Sequence, residues 1–168
     1  FMWTPVLLAA DPVVASNASW FGYVFAVFML AIMTGSHIFS WVSTQGTSNL
    51  HIHLGLLLVA LLSFIVPMMW LQPHLVLICF ILFEMTCGLY FPNQSVLRYT
   101  VIPESVRSTM MNLFRVPLNL LVVLILNAGT QQPQVLFAAC STLVLGALYA
   151  TYSLSKLPPK QRVESDHM

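Results

Sequence analysis

The residues of this 168-residue chain that could do chemistry are few, and most sit inside apolar runs. Glu84 lies in the middle of "LICFILFEMTCGLYFPNQ", residues 77–94. In hydrocarbon an unpaired carboxylate costs on the order of 3 kcal/mol or more, and a mid-helix side chain this short does not reach water. Glu84 must therefore face protein or a wet cavity, or hold a proton. In "MNLFRVPLN", Asn112, Arg115 and Asn119 are spaced three and four apart and fall on one helical stripe. Arg115 could run its stem to a membrane surface and keep its charge in water. The two asparagines could bond neighbouring helices. His37 shares a face with Thr34 and Trp41, next to Gly35 and Ser36, and could serve as a packing ring or as a ligand. His51 and His53, two apart, do not face one partner on a helix, so no metal site is expected there.

These groups have to be carried by apolar elements. Hydrophobic residues make up 58% of the chain and charged residues 7%, against about 25% charged in ordinary soluble domains. The mean hydropathy is +0.85. So few charges could not cover a soluble fold, and the composition is that of an integral membrane protein. A formal charge of +1 from scattered basic residues excludes an electrostatic nucleic-acid binder. Cys79, Cys87 and Cys140 lie within apolar runs, form no CxxC pair and are odd in number. Neither a disulfide framework nor a thiolate metal site is expected. No nucleophile stands at usable spacing from a base, so an enzyme is not expected, nor is a cofactor.

A spanning helix needs about 20 mainly apolar residues, and five segments qualify: about 20–42, 54–71, 75–99, 109–126 and 135–154. Long runs without strand-like alternation favour helices over barrel strands. The expected fold class is an all-α membrane protein of about five transmembrane helices. Pro92 and Pro117 should bend the third and fourth. The second is nearly free of polar residues. In the fifth, Thr142, Gly146 and Ala150 at four-residue spacing suit close helix packing. Residues 155–168 form a polar tail.

Basic residues set the orientation. Arg98 and Arg107 flank the third connection, and Lys156, Lys160 and Arg162 follow the fifth helix, on the same side of an alternating threading. The tail is then cytoplasmic and residues 1–19 are outside or lumenal, with the plasma membrane as the expected location. A glycosylation sequon at Asn17, "NAS", lies on that outer side, whereas "NQS" at Asn93 falls within a helix and is read as chance.

The block "FEMTCGLYFPNQSVLRYTVIPESVRSTMMNLFRVPLNLL", with its acidic residue before "CGLYFP", then "LR", "VIPE" and "NLFRVPL", resembles the molybdate-anion transporters of the major facilitator superfamily. The opening "FMWTPVL" resembles the outer end of that family's seventh helix, and "GS" falls within the eighth. The resemblance covers most of the chain and is strongest over Phe83 to Leu118. It implies a partial C-terminal half, helices 8 to 12 of twelve, with the N-terminal half and nearly all of helix 7 outside this sequence. It also implies that the first, third and fourth helices here line a central cavity while the second and fifth face lipid.

By this resemblance the function is uptake of molybdate by alternating access. Arg115 would offer its fork of donors to the oxyanion, and Asn112 and Asn119 would add amide N–H groups. Glu84, with His37, would be a coupling or gating group, because a charged carboxylate repels a dianion unless protonated or balanced by an arginine. The expected partners are molybdate or a similar oxyanion, the lipid bilayer and the missing N-terminal half. Two alternatives stay open: a transporter of another solute on the same fold, and a truncated, non-transporting membrane protein that associates with a full-length partner. Cysteines introduced at positions 17 and 160 are expected to label from opposite sides of the membrane. Labelling of both from one side would contradict the five-span threading.

Overall fold

The computed structural model describes residues 3–10, 18–70, 72–129 and 133–156. The sequon at Asn17 and the tail from residue 157 lie outside the described residues. Six helices follow one another: α1 (Trp3–Ala10), α2 (Ala18–Thr44), α3 (Asn49–Met69), α4 (Pro73–Val101), α5 (Glu104–Gly129) and α6 (Pro133–Ser155). Each segment expected to span is helical, and α2 to α6 extend beyond the apolar runs at most of their ends. Polar flanks remain helical until a turn residue or proline intervenes. Gly46 closes the α2–α3 turn at φ +73°, a left-handed conformation that glycine adopts at little cost. Pro73 opens α4 within its first turn, where a missing N–H is harmless. Pro67, Pro92 and Pro117 lie inside α3, α4 and α5, and each helix continues across its proline.

Four helices, α2, α3, α4 and α6, are long and apolar enough to cross a membrane. The expected fourth span corresponds to α5. It has the length, 26 residues, but carries Glu104, Arg107, Asn112, Arg115 and Asn119 and falls outside that set. All-α architecture stands, with α5 distinguished by its polarity.

Contacts between α2 and α4 are the most extensive, followed by α4 with α3 and α3 with α6; α5 packs mainly on α6, and α1 on α4. The order across the bundle is therefore α2, α4, α3, α6, α5. At its centre Val6, Leu7, Val24, Phe28, Phe64, Val76 and Phe137 form one buried apolar cluster drawn from α1, α2, α3, α4 and α6. Aromatic rings run through it: Trp3 meets Phe28 edge-on at 5.4 Å, Phe28 meets Phe80 at 6.4 Å, and Phe80 meets Phe137 at 6.2 Å.

The tightest contact joins α2 and α4 backbone to backbone. A Cβ at Gly35 would collide with the Met85 carbonyl, and a Cβ at Gly88 would collide with the Ile32 carbonyl. The two glycines are reciprocal notches, each receiving the other helix's main chain. Small residues allow such approach, and dispersion between the closely set surfaces stabilises it.

One expectation about packing is not met among the described residues. The stripe Thr142, Gly146 and Ala150 is exposed, and nothing lies within 4 Å of a Cβ at Gly146. The buried side of α6 carries Leu136, Phe137, Ser141 and Thr151 instead. Four-residue spacing of small side chains permits a close crossing but does not choose it over a face with bulkier apolar groups to bury. Among the described helices α3 is the most enclosed span. Within its most apolar window 44% is buried, against 22% in each of the other three. An apolar, nearly polar-free helix satisfies a protein core as well as it satisfies lipid.

Most hydroxyls in the spans bond their own helix. Thr34 donates to the Leu30 carbonyl at 2.8 Å, Ser63 to Val59 at 2.9 Å, Ser95 to Phe91 at 2.9 Å and Thr142 to Ala138 at 2.8 Å. Such back-bonding removes the need for an external partner. Gly35→Ala and Gly88→Ala are each expected to destabilise the protein by about 1–3 kcal/mol, as overpacking does. Gly146→Ala, with open space around it, is expected to be neutral or to add up to about 1 kcal/mol. Thermal unfolding in detergent measures all three.

Candidate functional site

Glu84 lies on α4 one turn before Gly88, so the glycine notch holds it toward α2. It is half-buried and lines a cavity of about 360 Å³ together with Trp3 and Thr4 of α1 and Phe25, Phe28 and Met29 of α2. The wall is aromatic and apolar except for the Thr4 hydroxyl and the carboxylate itself. Among the described residues no arginine, lysine or histidine forms an ion pair with Glu84. The stripe expected to run Glu84, Gly88, Phe91, Ser95, Arg98 divides in two. Its first half is covered by α1 and α2, whereas Phe91 and Ser95 are exposed.

Asn112, Arg115 and Asn119 are all exposed along α5. None of the three bonds to a described residue. They remain one stripe, but α5 packs mainly on α6, so they do not meet Glu84 in this structure. The flanking Leu113, Phe114, Val116 and Leu120 are also exposed, which leaves α5 uncovered on most sides. His37 is exposed as well, on the side of α2 away from Phe25 and Phe28, and does not line the Glu84 cavity. The two residues expected to act together in coupling are thus held on different sides of α2.

The sequence reading missed a polar cluster between the beginning of α3 and the end of α4. His53 is buried, its Nε2 lies 3.3 Å from the Gln94 amide nitrogen, and its ring lies 5.8 Å from that of Tyr90. Thr86 is buried and donates to the Phe83 carbonyl at 2.6 Å. Asn93 is fully buried, with no partner for either end of its carboxamide among the described residues. Such burial fits the chance origin of its sequon. Thr86, Tyr90 and Asn93 are spaced four and three apart, and this was the signal available in the sequence. His51 points elsewhere: it is exposed and borders a separate, mostly apolar cavity of about 300 Å³ with Thr86, between α2, α3 and α4.

At the end of α4 and the start of α5, Arg107 donates to the Ile102 carbonyl at 3.0 Å and stacks over Tyr99 at 5.1 Å. Lys156, just past α6, sits 4.5 Å over Tyr152. Cation–aromatic pairs of this kind suit the headgroup region.

Spanning helices, hydroxyls turned onto their own backbone and polar side chains confined to a few stripes define a multi-pass α-helical membrane protein. The chain is similar to the molybdate-anion transporter of Takifugu rubripes, 36% identical over 177 residues, which covers 94% of this chain and 35% of that protein. It is similar to the molybdate-anion transporters of Xenopus laevis and Danio rerio as well, each 34% identical over 92% of this chain, and covers 35% and 34% of those proteins. The chain spans about 35% of the length of the curated relatives it matches. No family model and no solved structure matches it.

Removal of the His53 imidazole should matter because Gln94 then loses its buried partner. His53→Leu is expected to lower stability by about 1–3 kcal/mol. His51→Leu, at an exposed position, should stay within about 0.5 kcal/mol. Unfolding of the two variants side by side separates them.

Proposed function

We propose that this chain forms part of a secondary transporter that moves molybdate or a similar oxyanion across a membrane by alternating access. The observation that carries this reading is the likeness, over more than nine-tenths of the chain, to proteins named molybdate-anion transporters. In this reading α2 to α6 correspond to helices 8 to 12 of a twelve-helix major facilitator bundle, and the remaining helices lie in the rest of the longer protein. The protein is a carrier and not an enzyme. It resides in the plasma membrane with its C-terminus in the cytoplasm. Arg98, Arg107 and Lys156 lie on the cytoplasmic side, where Lys and Arg are in excess.

A tetrahedral dianion needs positive charge and N–H donors. Arg115 supplies a planar fork of them, and Asn112 and Asn119 add amide groups on the same stripe. In the described residues this guanidinium has no carboxylate partner, so an oxyanion would not have to displace one. Glu84 serves in coupling or gating, because its charge must be neutralised before a dianion approaches. The exposed His37 stripe lies on a different side of α2 and would assist from there.

Arg115→Lys in the longer protein tests the binding role. A point charge cannot reproduce two parallel N–H bonds, and loss of a charged hydrogen bond, worth about 1.5–3 kcal/mol, corresponds to at least about a tenfold rise in half-saturating molybdate. If Arg115 only reaches toward headgroups, lysine serves as well. Unchanged uptake by Arg115→Lys at equal surface expression would count against the proposal.

A further inference from the structure

Asn93 breaks the rule by which polar groups in the spans are satisfied. It is 0% exposed, and neither Nδ2 nor Oδ1 has a partner among the described residues. Enclosure within this chain leaves no side open to a group from elsewhere in the longer protein. An ordered water commonly completes such a group. Here no space the size of a water adjoins the carboxamide, since its atoms are fully covered. The nearby cavity of about 300 Å³ is lined on α4 by Met85, Thr86 and Leu89 and does not reach Asn93. A second unpaired atom lies on the same seam. His53 of α3 meets Gln94 through Nε2 at 3.3 Å and packs on Tyr90 at 5.8 Å, so it faces the turn of α4 that carries Asn93. With the Gln94 amide nitrogen as donor, Nε2 accepts and the ring proton sits on Nδ1. Nδ1 is buried and unpaired as well. An N–H on α3 and a carboxamide oxygen on α4 are complementary, yet they do not bond in this arrangement.

Pro92 gives α4 a place to turn. It immediately precedes Asn93 and has no N–H for the Gly88 carbonyl, and helices bend at such points. The backbone contacts that pin α4 to α2, at Met85, Gly88 and Leu89, all precede Pro92. Beyond it, Ser95, Val96 and Tyr99 are exposed, and the Gln94–His53 contact ties the segment to α3. We propose that α4 beyond Pro92 is a two-state switch. The described arrangement leaves Asn93 and His53 Nδ1 unpaired. In the second, the segment turns about Pro92 and brings the Asn93 oxygen to the Nδ1 proton. A buried group left unpaired raises the energy of the first arrangement and so keeps the second within reach. The switch stands whether or not the longer protein carries molybdate.

The test uses the purified longer protein in detergent, with its other cysteines replaced and a trifluoromethyl label on one introduced cysteine. Ser95→Cys places the label beyond Pro92 and Leu82→Cys places it before, both at exposed positions. Fluorine NMR at position 95 is expected to show two exchanging states, as separate resonances or as relaxation dispersion on the μs–ms timescale of helix shifts. Asn93→Leu has the same branching without polar atoms. It should reduce the two states to one, raise Tm because a buried unpaired group is removed, and leave the label at position 82 unchanged. Pro92→Ala, which restores the missing backbone bond, should change the populations at position 95, and His53→Leu should deplete the second state. A single state at position 95 without these substitutions overturns the switch. So does a fall of Tm in Asn93→Leu, which would mean that the carboxamide has a partner, and so do two states that persist unchanged in that variant. Should Asn93→Leu fail to fold, Pro92→Ala and His53→Leu decide, and populations unaffected by both overturn the switch.

Discussion

The close approach of α2 and α4 at Gly35 and Gly88 is the constraint on which the rest of the bundle depends. Each glycine admits the other helix's carbonyl into space that any side chain would fill. With α4 pinned on one side by α2, its opposite face is free to take α3, and α3 in turn takes α6. The notch also fixes rotation. Glu84 precedes Gly88 by one turn, so when Gly88 faces α2 the carboxylate must face the same way. It is thereby kept from lipid and turned toward the rings of Phe25 and Phe28. A packing feature made of two missing side chains sets the position of the most costly polar group in the membrane.

Polar groups in the spans fall into two energetic classes. Hydroxyls such as those of Thr34, Ser63 and Thr142 are satisfied by their own helices and place no demand on neighbours. His53 meets Gln94 through Nε2 across α3 and α4, while its buried Nδ1 has no partner among the described residues. Glu84 and Arg115 belong to the second class: neither finds an opposite charge among the described residues. They carry opposite signs and are held apart, Glu84 in a cavity of α1, α2 and α4, Arg115 on the exposed side of α5.

Much of the fold was legible because one signal dominated: apolar runs of spanning length, broken by "TQGTSN", "QPH" and "VIPES", gave every long helix. Which faces meet was less legible. Gly88 was visible on the Glu84 face, but that it notches onto Ile32 depends on helix crossing, which one sequence does not encode locally. The α6 stripe at Gly146 and the enclosed position of α3 show the same limit, since a small-residue stripe and an apolar helix each suit more than one neighbour. Within the site, the isolation of Glu84 and the Asn112–Arg115–Asn119 stripe could be read from spacing alone. The His53–Gln94 contact could not, because its partners are 41 residues apart and only the α3–α4 register joins them. Trp3 and Thr4 likewise enter the cavity only through the docking of α1 on α4.

The most direct measurement of the central claim is uptake of radiolabelled molybdate by cells displaying the longer protein that carries this sequence. Saturable accumulation above control cells, competed by tungstate, is the predicted result; both are tetrahedral dianions for one guanidinium fork. Surface-displayed, folded protein that accumulates no molybdate above control would contradict it.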